Sequence, residues 1–232
     1  MKVVILCGGK GTRLHEETEY RPKPMVPIGN RPILWHIMKI YAAHGHTDFI
    51  LCLGYKGDQI KDWFRNYRWM VSDVTMRLGD DPDVCFHSPA DEMNWTVTLA
   101  DTGLDTMTGG RIKRIERYLG NGEEFLLTYG DGVGNVDITA SIEYHRKAGK
   151  LLTLTGVRPP GRFGELQVTD GMVTTFFEKP QVTGGRINGG YFVANRGIFR
   201  YLDDDPSLVF EQRPLSALSR DGQLACYMHD GF

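Results

Sequence analysis

The chain has 232 residues, of which 41% are apolar and 24% charged, and its formal net charge is −2 at pH 7. This is the composition of a globular protein with a substantial core, and so small a net charge excludes the broad basic field that general binding to nucleic acids or anionic membranes requires. The strand pattern starts at the N-terminus, and no apolar run approaches the roughly 20 residues of a membrane span, so we expect neither a signal peptide nor a membrane segment.

Four cysteines are scattered along the chain, at Cys7, Cys52, Cys85 and Cys226. None belongs to a C-x-x-C motif, and no histidine stands near them at the spacing of a metal site. Free thiols in a reducing cytoplasm explain this usage, so we expect a cytoplasmic protein.

The first predicted element is a buried strand that runs directly into a glycine-rich loop. An apolar run at 2–5 predicts the strand, and the sequence L-C-G-G-K-G-T-R-L follows at 6–14. Because glycine has no side chain to hold a ligand off the main chain, such a loop at the carboxyl end of a parallel strand can wrap a polyphosphate with backbone N–H groups. Arg13 and Lys23 add positive charge beside it, and the prolines flanking Lys23 stiffen its backbone.

The two common phosphate-binding loops do not fit this segment. The dinucleotide pattern G-x-G-x-x-G can be placed on 9–14, but Leu14 stands where the third glycine belongs. The P-loop pattern G-x-x-x-x-G-K-[ST] occurs nowhere in the chain. From these residues alone, another kind of nucleotide loop and a simple tight turn both stay open.

Strand and helix patterns then alternate. Apolar residues at helical spacing follow Pro32 as far as Gly45, an apolar strand covers 48–53, and a second helix passes through Ile60 and Tyr67. Two strand–helix units in tandem predict a parallel sheet with right-handed crossovers, that is, an α/β, doubly wound, Rossmann-like fold.

The alternation of strands and helices continues to about residue 157, and a pattern of short strands follows. The predicted elements are strands at 95–99, 125–129 and 151–157 and helices at 112–119 and 137–149. Asp137 is a suitable N-cap for the last of these helices. Short alternating strands follow, of which 172–178 is the clearest. We therefore expect 160–195 to form a small antiparallel region attached to a mostly parallel sheet.

Asp131 is the first candidate site residue beyond the loop. It follows the apolar strand at 125–129 directly and lies between Gly130 and Gly132. Open α/β sheets bind ligands at the carboxyl ends of their strands, and a carboxylate there suits a Mg²⁺ ion that bridges substrate phosphates. An ordinary aspartate in a turn is the alternative, since Asp-Gly is common turn chemistry.

Three further residues carry weaker signals. Arg111 follows the pair Gly109-Gly110 at a predicted helix start, where the glycines would allow close ligand approach and the guanidinium could bind a base carbonyl or a phosphate. A solvated helix arginine is the alternative. Lys179, in F-E-K-P, would supply a point charge for a sugar phosphate, and Asn188, in I-N-G-G, an amide for sugar hydroxyls.

Taken together, these motifs resemble those of the sugar-1-phosphate nucleotidylyltransferases and, within that family, of the glucose-1-phosphate cytidylyltransferases. The supporting stretches are L-C-G-G-K-G-T-R-L, R-P-K-P-M-V-P-I-G, M-T-G-G-R, T-Y-G-D-G-V, P-P-G-R-F-G, F-E-K-P and I-N-G-G-Y-F-V. The resemblance implies one domain of the nucleotide-diphospho-sugar transferase type over 1–232, with a nucleotide-binding part at about 1–135 and a sugar-phosphate-binding part at about 136–232.

The resemblance also implies site residues, ligands and a homo-oligomer. CTP would be held by Leu6, Cys7, Gly8, Gly9, Lys10, Gly11, Thr12, Arg13, Lys23, Thr106, Arg111 and Gly130. Lys179, Asn188 and Gly189 would bind glucose 1-phosphate, and Asp131 would bind Mg²⁺. In the family, a segment W-x-P-M-D-T follows the Gly-Phe at which this sequence ends, and its aspartate completes the metal site; we expect that part of the domain to lie outside this sequence. The products would serve the synthesis of CDP-linked deoxysugars for surface polysaccharides such as O-antigen.

The implied reaction needs no general base, because the attacking phosphate is already an anion. Arg13 would stabilise the leaving diphosphate, and Lys23 the charge that develops around the α-phosphorus, with Asp131 holding the metal. The same chemistry with UTP or dTTP, and a regulatory subunit that binds sugar nucleotides without turnover, are the alternatives that the sequence leaves open.

Overall fold

The structure is a computed structural model that describes residues 1–9, 20–79, 83–87, 94–158, 165–169, 172–177 and 185–231. Its main sheet has seven strands in the order β13-β9-β12-β8-β1-β4-β7. These strands are β1 (Lys2–Leu6), β4 (Asp48–Leu53), β7 (Thr96–Asp101), β8 (Glu124–Tyr129), β9 (Leu152–Val157), β12 (Ile187–Asn195) and β13 (Leu224–His229). The other strands of the described residues form three antiparallel pairs: β2 (Pro27–Ile28) with β3 (Arg31–Pro32), β5 (Asp73–Met76) with β6 (Val84–His87), and β10 (Glu165–Thr169) with β11 (Met172–Phe177).

Six α-helices lie between the strands of the described part of the chain. They are α1 (Ile33–Ala43), α2 (Gly57–Arg65), α3 (Tyr67–Val71), α4 (Thr108–Arg114), α5 (Ile138–Ala148) and α6 (Arg213–Arg220). None of them, among the described residues, combines the length and the apolar character that crossing a bilayer requires.

The core has two halves, one on each face of the sheet, because successive residues of a strand point to opposite faces. In β1, Val4 and Leu6 belong to the half that also holds Ile112 of α4. Val3 and Ile5 belong to the other half, with Tyr41 of α1. All but Leu6 are fully buried, so β1 is covered on both faces, as the continuous apolar run predicted.

The expected α/β architecture is confirmed. Strand β1 pairs in parallel with β4 and β8, and β4 pairs in parallel with β7. Among the described strands of the main sheet, β12 alone runs antiparallel to the others, and it lies between β8 and β9. Strands β10 and β11 form the small antiparallel unit. The sheet is therefore mostly parallel. Its antiparallel strand, β12, belongs to the part of the chain in which the sugar-phosphate region was expected.

Helix boundaries differ in detail from the prediction. Asp137 is the N-cap of α5, since its Oδ1 accepts from the N–H of Ala140 at 2.9 Å, and Gly149 ends that helix at φ 60°. Pro32 precedes α1 as its N-cap instead of occupying the first turn. The helix expected through Ile60 and Tyr67 is two helices, because the chain leaves helical geometry at Asn66 (φ −96°, ψ 17°).

Candidate active site

The loops that follow four parallel strands meet at one edge of the sheet. Leu6 at the end of β1 is in register with Tyr129 at the end of β8 on one side and with Cys52 of β4 on the other. Leu53 at the end of β4 is in turn in register with Asp101 of β7. The start of the glycine loop, residues 7–9 directly after β1, therefore lies at the centre of the ligand-binding edge of an open α/β sheet.

Strand β12 brings a fifth segment to this edge. It runs antiparallel to β8, with Tyr191 opposite Thr128, so its beginning lies beside the end of β8. Asn188 pairs with Gly156 of β9, and the ladder is irregular between Asn188 and Phe192. The predicted nucleotide side and the predicted sugar side thus lie on either side of the loop that carries Asp131.

Arg111 is buried beneath the glycine loop, with 3% of its surface exposed. Its Nη1 donates to Leu53 O, Thr102 Oγ1 and Gly103 O, each at 2.8 Å. Its Nη2 donates to Gly8 O at 3.0 Å and to Leu104 O at 3.3 Å. The guanidinium therefore ties together the ends of β1, β4 and β7. The alternative considered for Arg111, a solvated helix arginine, is wrong.

Two glycines make room for this guanidinium. A Cβ on Gly8 would lie 2.2 Å from Arg111 Cζ, and a Cβ on Gly54 would lie 2.4 Å from Arg111 Nη1. A Cβ on Gly9, in contrast, would meet nothing within 4 Å in the described residues. Gly8 is thus required because a side chain there would collide with the buried Arg111. The sequence had suggested only that a glycine lets a ligand approach the backbone.

The hydrogen-bond partners of the Arg111 cation in the described residues are uncharged. Its five hydrogen bonds within the described part of the chain all go to carbonyl or hydroxyl oxygens. Burial lowers the pKa of Arg111, and burial also raises the pKa of the neighbouring Cys52 thiol to about 12. Within the described residues the guanidinium hydrogen-bonds no carboxylate, and a buried cation of this kind favours an anion nearby. A direct contact of Arg111 with the nucleotide stays a prediction.

The glycine pair before Arg111 serves the protein's own packing. A Cβ on Gly109 would lie 2.7 Å from Leu208 Cγ, and one on Gly110 would lie 2.6 Å from Asp205 O. The expectation that Gly109 and Gly110 allow close ligand approach is therefore wrong, because the segment before α6 already fills that space.

Thr106 is held from below by Arg114. The Nη1 of Arg114 donates to Thr106 Oγ1 at 2.8 Å and to Thr102 O at 2.9 Å, while its Nε donates to Asp204 Oδ1 at 2.7 Å. Thr106 is 6% exposed, so it lines the inner side of the turn after β7. Its predicted role at the nucleotide is not tested by this geometry.

Lys23 and Asp131 meet at the centre of the site. Lys23 begins a 3₁₀ turn, Lys23–Met25, and its Nζ donates to Asp131 Oδ2 at 3.3 Å. Gly130 allows this approach, because a Cβ there would lie 2.9 Å from Leu6 O and 3.0 Å from Pro24 Cγ. The Asp131 side chain is 46% exposed, so the carboxylate keeps a face free for a ligand.

Asp131 fits a Mg²⁺ ion that is bound mainly through substrate. Among the described residues, no three His, Cys, Asp or Glu side chains come together to hold a metal. A hard, half-exposed carboxylate beside the Lys23 ammonium suits a Mg²⁺ ion whose coordination is completed by nucleotide phosphates and water.

Asn188 is fixed by a bulged stretch of β12. Its Oδ1 accepts from Gly190 N at 2.9 Å, and its Nδ2 donates to Tyr129 OH at 3.2 Å. A Cβ on Gly189 would lie 2.7 Å from Val157 Cγ1, and Gly190 has φ +83°, so both glycines are required for this course of the chain. The side chain of Asn188 is thereby directed to the same edge as Asp131.

Tyr129 is joined to a glutamate that the sequence did not single out. Its hydroxyl donates to Glu211 Oε1 at 2.5 Å, and Thr108 Oγ1 donates to Glu211 Oε2 at 2.7 Å. Burial and the hydrogen bond to Glu211 raise the pKa of Tyr129, so its hydroxyl stays protonated and donates. No motif marks Glu211, because it lies in an irregular turn, 82 residues along the chain from Tyr129.

Five predicted site residues lie outside the described residues: Lys10, Gly11, Thr12, Arg13 and Lys179. Leu6, Cys7, Gly8, Gly9, Lys23, Thr106, Arg111, Gly130, Asp131, Asn188 and Gly189 are described and lie along the one sheet edge. Their proposed contacts with ligands stay predictions.

Comparison with known proteins connects this edge to a family. Residues 2–220 match the nucleotidyl transferase family. The chain is 50% identical over its whole length to a glucose-1-phosphate cytidylyltransferase of Salmonella typhimurium and covers 89% of that protein. It is 31% identical over 91% of its length to a D-glycero-alpha-D-manno-heptose 1-phosphate guanylyltransferase of Aneurinibacillus thermoaerophilus, of which it covers 82%.

A solved structure agrees with the fold. The crystal structure of HddC from Yersinia pseudotuberculosis superposes with a TM-score of 0.68 at 25% identity, covering 100% of this chain and 91% of that one. The length of the family match and the identity over the full chain settle the assignment: this chain belongs to the nucleotidyl transferase family, in the group of the glucose-1-phosphate cytidylyltransferases.

Proposed function

We propose that this protein transfers a cytidylyl group from CTP to α-D-glucose 1-phosphate, giving CDP-glucose and diphosphate. The 50% identity to a relative of that activity supports the choice of substrates. The observation that carries the chemistry is the ion pair between Lys23 Nζ and Asp131 Oδ2, which are 3.3 Å apart. Asp131 follows β8, the strand between β1, which leads into the glycine loop, and β12, which carries Asn188. A cation and a carboxylate that could bind a metal are thus next to each other where two anionic substrates would meet.

The reaction is one displacement at phosphorus. A phosphate oxygen of glucose 1-phosphate forms a bond to the α-phosphorus of CTP, and the bond from that phosphorus to the bridging oxygen of the β-phosphate breaks, with its electron pair leaving on diphosphate. The nucleophile is already ionised, so the protein has to align two anions and offset their repulsion.

The residues at the sheet edge divide this work. Lys23 donates to the oxygens around the α-phosphorus, and the backbone of the Gly8 loop, tied down by Arg111, cradles the nucleotide. We assign Arg13 to the leaving diphosphate and Lys179, with Asn188 and Gly189, to the sugar phosphate. Asp131 would hold Mg²⁺, which when bound neutralises phosphate charge. A preorganised hydrogen-bond donor such as Lys23 typically raises the rate by a factor of about 10²–10³.

The two parts of the single domain follow the same division. The strands and loops up to about residue 135 provide the nucleotide side, and the residues from about 136 onward, including β12, provide the sugar side. Cytosine presents an amino group where uracil presents an oxygen, so we expect CTP to be preferred over UTP, with a penalty of about 1–3 kcal/mol for each buried group left unpaired.

The test is diphosphate release with glucose 1-phosphate and each of CTP, UTP, dTTP and GTP. CTP should give the highest kcat/KM, and Asp131→Asn should abolish turnover. Glu143→Gln, the same chemical change on the exposed side of α5, is the matched control and should be neutral. Equal use of all four nucleotides, or binding of CTP without turnover, would refute the proposal.

We also propose that the protein is a homo-oligomer. Several exposed apolar side chains lie on the segment from α3 to the first residue of β6, and Leu78 among them is 90% exposed. They are Trp69, Met70, Met76, Leu78 and Val84. Apolar residues gathered in this way mark an interaction surface. In light scattering, Leu78→Ser should lower the particle mass, whereas Met228→Ser, exposed elsewhere, should not; equal mass for all forms would contradict this surface.

A cytoplasmic location is proposed on the chemistry of the thiols. All four cysteines, Cys7, Cys52, Cys85 and Cys226, are free. Unpaired thiols are usual in reducing compartments. The product CDP-glucose would be consumed by enzymes that modify nucleotide-linked sugars for surface polysaccharide such as O-antigen. Cell fractionation followed by detection of this chain would test the location.

A further inference from the structure

We infer that Glu211 is a positioning residue for the sugar phosphate: through Tyr129 it fixes the orientation of the Asn188 amide. The inference rests on the proposed function for what binds at Asn188. It adds to the site two residues, Glu211 and Tyr129, that none of the sequence motifs had assigned to any role.

The three side chains form a continuous relay. The carboxylate of Glu211 accepts from Tyr129 OH at 2.5 Å, and that hydroxyl accepts from Asn188 Nδ2 at 3.2 Å. Tyr129 ends β8, two residues before Asp131, and Asn188 lies near the start of the neighbouring β12. The relay therefore starts behind the site and ends on the residue expected at the sugar.

The direction of each hydrogen bond follows from donor and acceptor chemistry. A carboxylate oxygen only accepts, so the single proton of Tyr129 points to Glu211. The phenolic oxygen must then accept from Asn188, and only the amide nitrogen can donate to it. Gly190 N–H donates to the other end of the same amide, Asn188 Oδ1, at 2.9 Å. Both constraints select the same orientation, which leaves one amide proton and one carbonyl lone pair for a ligand.

Glu211 is itself held in place. Thr108 Oγ1 donates to its second oxygen at 2.7 Å, and the N–H of Phe210 donates to Thr108 Oγ1 at 2.9 Å. Phe210 is fully buried and its ring lies 5.8 Å from that of Phe192 in β12. The carboxylate is therefore anchored to the core on one side and to the first residue of α4 on the other.

Removal of the acceptor should release the amide. In Glu211→Ala, the Tyr129 proton can turn toward Asn188, which favours the flipped amide and breaks the bond from Gly190. In Tyr129→Phe, Asn188 Nδ2 loses its partner. In Glu211→Gln, the amide oxygen can still accept from Tyr129 while its nitrogen donates to Thr108, whose oxygen has a second lone pair. Glutamine should therefore rescue what alanine loses.

The kinetic test compares these variants with Asn188→Ala. Loss of one positioned hydrogen bond should raise KM for glucose 1-phosphate about 3- to 10-fold in Glu211→Ala and Tyr129→Phe, with KM for CTP changed less than about twofold. Glu211→Gln should stay near wild type. In an Asn188→Ala background, Glu211→Ala should have no further effect on KM. Tyr144→Phe, on the exposed side of α5, is the control for Tyr129→Phe.

A second measurement keeps the inference separate from the proposed function. The side-chain amide signals of Asn188 in an NMR spectrum, assigned by their loss in Asn188→Ala, should shift in Glu211→Ala and Tyr129→Phe and return in Glu211→Gln. This readout needs no turnover, so an enzyme inactive with CTP would refute the function without deciding the relay. Unshifted amide signals in Glu211→Ala, or a glutamine variant as impaired as alanine, would overturn the relay.

Discussion

The guanidinium of Arg111 donates to the carbonyl of Gly8 at 3.0 Å, which connects the first turn of a helix to the glycine loop over a sequence separation of 103 residues. Because the same guanidinium also bonds Leu53 O and Gly103 O, three loops at the sheet edge share one donor group. A buried side chain of the protein itself therefore holds Gly8, at the start of the loop expected to bind nucleotide.

This relationship predicts a large stability effect for Arg111. In Arg111→Ala, several buried carbonyls lose their donor, and we expect the free energy of unfolding to fall by about 3 kcal/mol or more. Arg117→Ala, three residues beyond α4 and exposed, should change it by less than about 0.5 kcal/mol. Urea unfolding of both variants measures this, and equal stability of the two would contradict the structural role.

The glycines around Arg111 give a graded prediction. Gly8→Ala and Gly54→Ala place a methyl group 2.2 Å and 2.4 Å from guanidinium atoms, so each should destabilise the fold by about 2 kcal/mol or more. Gly9→Ala meets no described atom within 4 Å and should be nearly neutral for stability. Thermal unfolding of the three variants separates these outcomes; a Gly9→Ala loss as large as that of Gly8→Ala would be inconsistent with the packing.

Lys23→Ala should separate catalysis from stability. Its ion pair with Asp131 is partly exposed, so its loss should change the free energy of unfolding by about 1 kcal/mol or less. Turnover with CTP should fall about 10²- to 10³-fold, because a preorganised donor at the reacting phosphates is lost. Lys147→Ala, on an exposed turn of α5, is the control. Near-normal turnover in Lys23→Ala would contradict the role of Lys23 in stabilising charge at the α-phosphorus.

His145 should make stability depend on pH. It is buried in α5 with Nδ1 2.8 Å from Thr153 Oγ1, and burial lowers its pKa. The unfolded chain then binds the proton more readily than the folded one, so this residue's contribution is complete above the unfolded pKa of about 6.5 and is lost as pH falls.

The expected slope is up to about 1.4 kcal/mol per pH unit for each proton between pH 7 and 5. His46, whose pKa is also lowered mainly by burial, adds to it. Urea unfolding across that range should give a shallower slope for His145→Gln than for wild type. Parallel curves for the two proteins would show that His145 is not the group responsible.

Much of the fold could be predicted because the relevant signals are local. The apolar run of β1, the Gly-Asp pair after β8 and the N-cap at Asp137 each follow from neighbouring residues. The buried position of the Arg111 side chain could not be predicted in this way, because it depends on three strand ends that meet only in the folded sheet. Glu211 was missed for the same reason: it lies in an irregular turn, and its partners Tyr129 and Thr108 are distant in sequence.

The most direct test follows phosphorus through the reaction. The enzyme should be given glucose 1-phosphate and CTP labelled with radioactive phosphorus, at the α position in one sample and at the γ position in another. The account predicts that α-label appears in CDP-glucose and γ-label in diphosphate, with both transfers lost in Asp131→Asn. Label from the γ position in a sugar product, or no transfer from CTP at all, would contradict it.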